Sequence, residues 1–413
     1  MIAPTVPSPA LALEAATAIG YGIARRALWA GDRCTWFDAV PVAPGQNPAV
    51  SATTGAEVYG GTSGIGLFLA QLAARTGDGL VRRTSLGALR HARALAGELE
   101  ASAPLGFYGG AAGVGAALIL AARELGDEEP IVAALELLLR VPLTIEQPDT
   151  TDVVGGTAGT LLALVVAARA LREEPRLLAR AQDAAGMLIA LGELDRNGTL
   201  SWSTMREKRG NLTGFAHGAA GIAHTLLALH AVAPDAVLHG AIAAAFAYER
   251  STYDPARRNW PDLRIMPGQA RGAVPFGIAW CHGAVGIARA RLFAESVGGF
   301  AVGDDIAAAL ATTSASVNGL YRDPNADFTV CHGIFGMLDT LLDAVRSGRA
   351  AYAPSLATVV KAATERYHYA ERPWPSGLMT REQVDGFMLG TAGVGHVYLR
   401  LADPSVEPIL APR

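Results

Sequence analysis

The stretch GGTAGTLLALVVAA (residues 155–168) places two glycines and a small residue directly ahead of an apolar run, and its recurrence decides the fold. A Gly-x-x-Gly pair opens such a run at Gly61 (GGTSGIGLFLAQLA), Gly110 (GGAAGVGAALILAA), Gly156, Gly218 (HGAAGIAHTLLALH), Gly283, Gly333 and Gly390 (LGTAGVGHVYLRLA). Seven copies, 46 to 65 residues apart, mark a repeat architecture. Between copies lie more polar stretches, among them SLGALRHARALAGELEA (85–101), PRLLARAQDAAGMLIAL (175–191) and SLATVVKAATERYHYA (355–370). Their apolar residues recur every three or four positions, as amphipathic helices require. Each unit therefore reads as helix, loop, Gly motif, apolar helix. A helix apolar all round wants burial, and an amphipathic one can cover it. Seven inner helices ringed by seven outer ones satisfy both demands. An open stack of helix pairs satisfies them too, and periodicity does not choose between the two.

The remaining composition fits an all-α chain. Of 413 residues, 51% are hydrophobic and 17% charged, so a large core can form and disorder is excluded. The formal net charge of −4 comes with no basic stripe, which excludes nucleic acid as a partner. The apolar run 158–170 falls short of the roughly 20 residues of a spanning helix, so no integral membrane segment is expected. The first 20 residues lack a basic leading region and carry Glu14, unlike a signal peptide. Three cysteines do not make a disulfide framework, and the expected location is cytoplasmic with reduced thiols. Residues 1–54 read as an N-terminal helical extension packing on the barrel of repeats, which fills 55–413. Two longer intervals contain GELDRNGTLSWSTMREKRGN (192–211) and YDPARRNWPDLRIMPGQARGAVPFG (253–277). They read as long loops or a small hairpin at one rim, where function often resides.

The reactive side chains gather at the motif starts. Asp152 leads the third copy, His217 the fourth, Trp280, Cys281 and His282 the fifth, and Cys331 and His332 the sixth. If the motif starts face one opening, these residues converge. Cys281, Cys331 and His332 then form a Cys₂His set, and a catalytic zinc takes three protein ligands with a fourth position left for substrate. Two buried structural cysteines, or a redox disulfide, are the competing readings. His282 stands beside the set, and Trp280 packs next to it or contacts substrate. Asp152 before a helix is also an ordinary N-cap residue, and His217 an ordinary core histidine. His224 and His396, inside apolar helices, read as structural.

Seven Gly-motif repeats, a WCHG, a CHG and an upstream AHG together resemble the lanthionine synthetase C-like family, the cyclases of lanthipeptide biosynthesis and their eukaryotic relatives. The likeness runs over nearly the whole chain from about residue 55. It implies a double α/α toroid of seven inner and seven outer helices around a zinc ion (Zn2+), with Cys281, Cys331 and His332 as ligands. It also implies His217 as the catalytic histidine and Asp152 as an active-site aspartate. One departure stands out: some cyclases carry an arginine four residues before the first zinc cysteine, where this chain has Gly277. Arg271 or another rim arginine is the expected substitute. His282 after that cysteine resembles the eukaryotic relatives.

The reaction so implied is addition of a cysteine thiol to a dehydroalanine or dehydrobutyrine of the same peptide, giving a (methyl)lanthionine thioether. A free thiol, pKa about 8.5, is mostly protonated at neutral pH, and zinc removes that proton. Two thiolate ligands already balance the metal's charge, so a third, from substrate, stays nucleophilic. The resulting enolate needs a proton at its α-carbon, which a positioned histidine supplies. The expected partners are a dehydrated precursor peptide and a separate dehydratase, there being no dehydratase-sized region in the sequence. Addition of glutathione or another small thiol is the alternative reaction. A non-catalytic, zinc-stabilised peptide-binding scaffold is the alternative class.

Overall fold

The computed structural model describes residues 8–41, 49–143, 151–265, 274–378 and 383–413. The chain starts with helix α1 (Pro9–Arg26) and two antiparallel hairpins, β1 (Leu28–Ala30) with β2 (Arg33–Thr35) and β3 (Phe37–Pro41) with β4 (Ala49–Thr53). Seven helices then begin directly after the motif glycines: α2 (Thr62–Thr76), α4 (Ala111–Leu125), α6 (Thr157–Ala170), α8 (Ala219–Val232), α10 (Ala284–Val297), α12 (Ile334–Arg346) and α14 (Thr391–Ala402). Between them lie α3 (Gly79–Ser102), α5 (Ile131–Arg140), α7 (Pro175–Ala190), α9 (Ala236–Thr252), α11 (Gly303–Leu320) and α13 (Ala353–Ala363). The interval after α7 carries a small hairpin, β5 (Glu193–Leu194) with β6 (Leu200–Ser201). The architecture is mostly helical, as the composition required.

The motif has a steric cause. A Cβ on its second glycine (64, 113, 159, 221, 286, 336 or 393) would collide with the carbonyl oxygen six residues earlier, on residues 58, 107, 153, 215, 280, 330 and 387 respectively. Only glycine lets the loop turn back so tightly onto the first helical turn. The burial split follows the sequence pattern. In α6 every residue from Thr157 to Ala167 is buried, and in α8 every residue from Ala219 to Leu229. In α7 only Leu177, Ala181, Ala184, Ala185 and Leu188, one face, are buried.

Two compact units divide the chain. The first comprises Met1–Ser102, Val114–Glu136 and Val317–Pro412; the second comprises Ala103–Gly113, Leu137–Ser316 and Arg413. In the first, α3 packs on α2 and α1 on α14. Arg400 of α14 is buried between Asp339 and Asp343 of α12. His396 is structural: its Nδ1 meets Gln71 Oε1 at 3.0 Å and its Nε2 accepts from Ile409 N–H at 3.2 Å. Among the described residues ahead of 55, α1 is the one helix, and the strands that follow it form hairpins. Gly31 turns between β1 and β2 at φ +66, and the Trp36 indole donates to Ile23 O at 2.9 Å. In the second unit α6 packs on α7 and α8, and α8 on α9 and α10. Buried Arg291 of α10 bridges Glu249 of α9 (2.9 Å) and Asp305 of α11 (3.1 Å). His224 lies in this core between Phe215 and Phe293, each ring about 5.0 Å away.

Candidate functional site

The loops ahead of the buried helices are tied to one another by backbone amides. In the second unit Phe107 N–H donates to Val153 O (3.1 Å), Val153 N–H to Ala216 O (3.3 Å) and Ala216 N–H to Cys281 O (3.2 Å). The loops carrying Asp152, His217 and Cys281 thus lie side by side, in sequence order. Closeness of the last two is enforced at Gly214 (φ +89), where a Cβ would press on Cys281 O at 2.9 Å and His282 Cα at 3.0 Å.

Asp152 and His217 meet directly. His217 Nδ1 and Asp152 Oδ2 are 2.5 Å apart, while Asp152 Oδ1 accepts from Gly155 N–H at 2.7 Å. The carboxylate is therefore both a loop cap and the partner of the histidine. Burial pushes the His217 pKa down, but the charge and hydrogen bond of Asp152 together with the field of Cys281 outweigh burial and the opposing Arg264. The net result lies above the ordinary 6.5. With Nδ1 facing the carboxylate, Nε2 is the nitrogen left to exchange a proton.

The fifth loop completes this side. Cys281 is half-buried, Cys34 and Cys331 are buried, and none of the three is in a disulfide. His282 is buried with its ring 5.9 Å from that of His217, and Trp280 is buried against Tyr108 (5.0 Å) and Phe215 (5.3 Å). Three further residues, unmarked by the repeat, hold the site. Glu249 Oε1 accepts from both Gly214 N–H (2.9 Å) and Ala220 N–H (3.0 Å), clasping the loop that bears His217. Asn259 does the same for the Cys281 loop, donating to Gly277 O (2.9 Å) and accepting from Ala284 N–H (3.0 Å). Arg264 comes from the second long interval, which pairs with the first through Arg209 N–H to Leu263 O (2.9 Å) and Ile265 N–H to Glu207 O (3.2 Å). It is held by Asp262 at 2.7 Å. Burial works against that carboxylate, yet Arg264 and then His282 keep its pKa below the usual value. Arg264, 13 residues before Gly277, is an arginine whose charge reaches His217. Arg271 lies outside the described residues.

In the first unit Cys331 N–H donates to Met388 O (3.0 Å) and Met388 N–H to Tyr59 O (2.7 Å), the same lateral amide link. Cys331 is 3% exposed, and its Sγ accepts from the Tyr59 hydroxyl at 3.1 Å. His332 Nε2 lies 3.0 Å from Gly377 O and 3.4 Å from Asp327 Oδ2. Those acceptors favour the proton on Nε2, which presents Nδ1 as a lone-pair donor. A metal-binding histidine characteristically has its other nitrogen held in this way.

Among the described residues no group of three or more His, Cys, Asp or Glu side chains is gathered to hold a metal ion. Cys331 and His332 belong to the first unit and Cys281 to the second. Taken one by one, two cysteine thiols outside any disulfide and an imidazole with its Nε2 side occupied are a donor set that suits zinc.

A family model described as lanthionine synthetase C-like protein matches residues 53–410. Among solved structures the chain is similar to nisin cyclase, with TM-score 0.62 and 17% identity over 85% of this chain and 89% of that one. At that identity the likeness is one of fold. Weaker likenesses are to a GH76 α-mannanase of Bacteroides thetaiotaomicron (TM-score 0.49, 11% identity, 96% of each chain) and a sugar epimerase from a ruminal bacterium (TM-score 0.45, 11% identity, 84% and 87%). No protein of curated function matches the sequence.

Proposed function

Because this chain belongs to the lanthionine synthetase C-like family, we propose that it is a lanthipeptide-type cyclase closing thioether rings in a dehydrated precursor peptide. The observation that carries the reading is the Asp152–His217 pair beside the Cys281 loop. It equips one place with a proton donor and a candidate metal-binding sulfur. The proposed ligands are Cys281, Cys331 and His332, and the proposed arrangement is a double ring of seven inner and seven outer helices. Bound zinc would supply a substrate thiol held as thiolate.

In the proposed reaction a substrate sulfur bonds to the β-carbon of a dehydroalanine or dehydrobutyrine. The alkene electron pair moves towards the neighbouring carbonyl as an enolate. His217 Nε2–H then delivers a proton to the α-carbon. Asp152 holds the ring through Nδ1 and stabilises the protonated form. The proton lost by the thiol restores His217, so the peptide's composition is unchanged. His282 and Trp280 are proposed to shape the walls, and dehydration to be the work of a separate enzyme.

The test is incubation of the full chain with a dehydrated, cysteine-containing peptide, read by mass spectrometry with thiol alkylation. Ring closure leaves the mass unchanged and removes the alkylatable thiol. H217A is expected to be slower by about 10²–10⁴-fold, the usual worth of a positioned acid. Rings formed at the wild-type rate by H217A would refute its role as acid. A mass gain equal to glutathione when that thiol is supplied would instead favour intermolecular addition, and C281A that cyclises normally without zinc would remove the metal from the reaction.

A further inference from the structure

We propose that Tyr59 is a positioning residue for the Cys331 thiolate, its phenol hydroxyl fixing the sulfur and drawing charge from it. The inference rests on Cys331 being the ligand assigned above. Tyr59 stands two residues before Gly61, the register that Cys331 and Met388 hold before Gly333 and Gly390. The three loops are locked laterally, because Met388 accepts from Cys331 N–H (3.0 Å) and donates to Tyr59 O (2.7 Å). The phenol therefore reaches past the Met388 loop to meet Cys331 Sγ at 3.1 Å.

Cys331 is almost wholly withdrawn from water, and a buried anion needs donors close by. The side chain at the same register in the intervening loop is Met388, a thioether that has no proton to give. An O–H donor held by a rigid backbone link serves without reorganisation. Hydrogen bonds to ligand sulfurs also tune the metal they bind. With two thiolates already opposing a dipositive charge, withdrawing density from one leaves the metal more acidic towards a third, incoming thiol.

The test compares wild type, Y59F, M388L and C331A as full-length proteins. Zinc affinity is read by chelator competition, and the cobalt(II) forms by their thiolate-to-metal charge-transfer absorption. Y59F is expected to bind zinc about tenfold more weakly, the lower end of the usual cost of losing such a partner. Its cobalt band should move to longer wavelength, because a sulfur without its hydrogen bond is easier to oxidise. M388L, which alters packing but keeps the hydroxyl, should match wild type in both. The role of Tyr59 is overturned if Y59F retains wild-type affinity and band position, or if M388L reproduces its defects. A wild type that holds no zinc, or a C331A that holds it unchanged, overturns the ligand assignment as well.

Discussion

The imidazole of His217 is held through its Nδ1, which meets Asp152 Oδ2 at 2.5 Å. Exchange of that carboxylate for an amide, D152N, removes the charge that lifts the His217 pKa. In the proposed reaction the acid works only while protonated, so cyclisation should decline as pH rises through the His217 pKa. In D152N that decline is expected at lower pH, read from kcat against pH. The stability sign follows the same logic. A histidine raised above its unfolded 6.5 contributes stability below 6.5 and loses it as pH rises through the folded value. D152N should therefore cost more stability at pH 6 than at pH 9, by denaturant titration. At this scale the meeting of Asp152 with His217 beside the Cys281 loop was legible, because the repeat marks their register. Glu249, Asn259 and Arg264 were not. Glu249 reads in AYERST as one more outer-helix acid, and only the folded chain turns it towards Gly214 and Ala220.

At the scale of elements, α9 does two things at once: it covers α8 and lends it Glu249. E249Q keeps an acceptor for the loop amides but leaves Arg291 facing a neutral group. Breaking a buried pair in this way costs about 3–5 kcal/mol. A lowered denaturation midpoint is expected, along with reduced kcat if the loop bearing His217 loosens. Unchanged stability would mean that Asp305 alone neutralises Arg291. The Gly motif announced every helix from α2 to α14 that begins with it, because the steric demand sits within seven residues of sequence. The N-terminal hairpins were not announced. Their strands are three to five residues long, too short for a period to register, and their docking involves Asp385, some 350 positions away.

Within the whole molecule, that docking makes a pH-sensitive joint in the first unit. Asp38 Oδ2 accepts from Asp385 N–H (2.8 Å) and Gly386 N–H (3.3 Å), while Arg26 pairs with Asp385. Burial first, and the charge of Asp385 second, raise the Asp38 pKa to about 6. A folded carboxyl that holds its proton more tightly than the unfolded one makes stability fall as pH rises between the two values. Stability is therefore expected to drop between pH 4 and pH 6 by the share that D38N abolishes, measured by thermal melts across that range. A D38N slope equal to wild type would place the effect elsewhere. No helix among the described residues is long and apolar enough to cross a membrane. The lateral amide chain from Phe107 through Val153 and Ala216 to Cys281 has one last consequence. Each of these loops is tied by an amide to its neighbour in the second unit, so none of them swings without straining the next. In the proposed reaction the bending is left to the peptide: a limp substrate must wrap itself around a stiff anvil, and the rings that form are those its own slack permits.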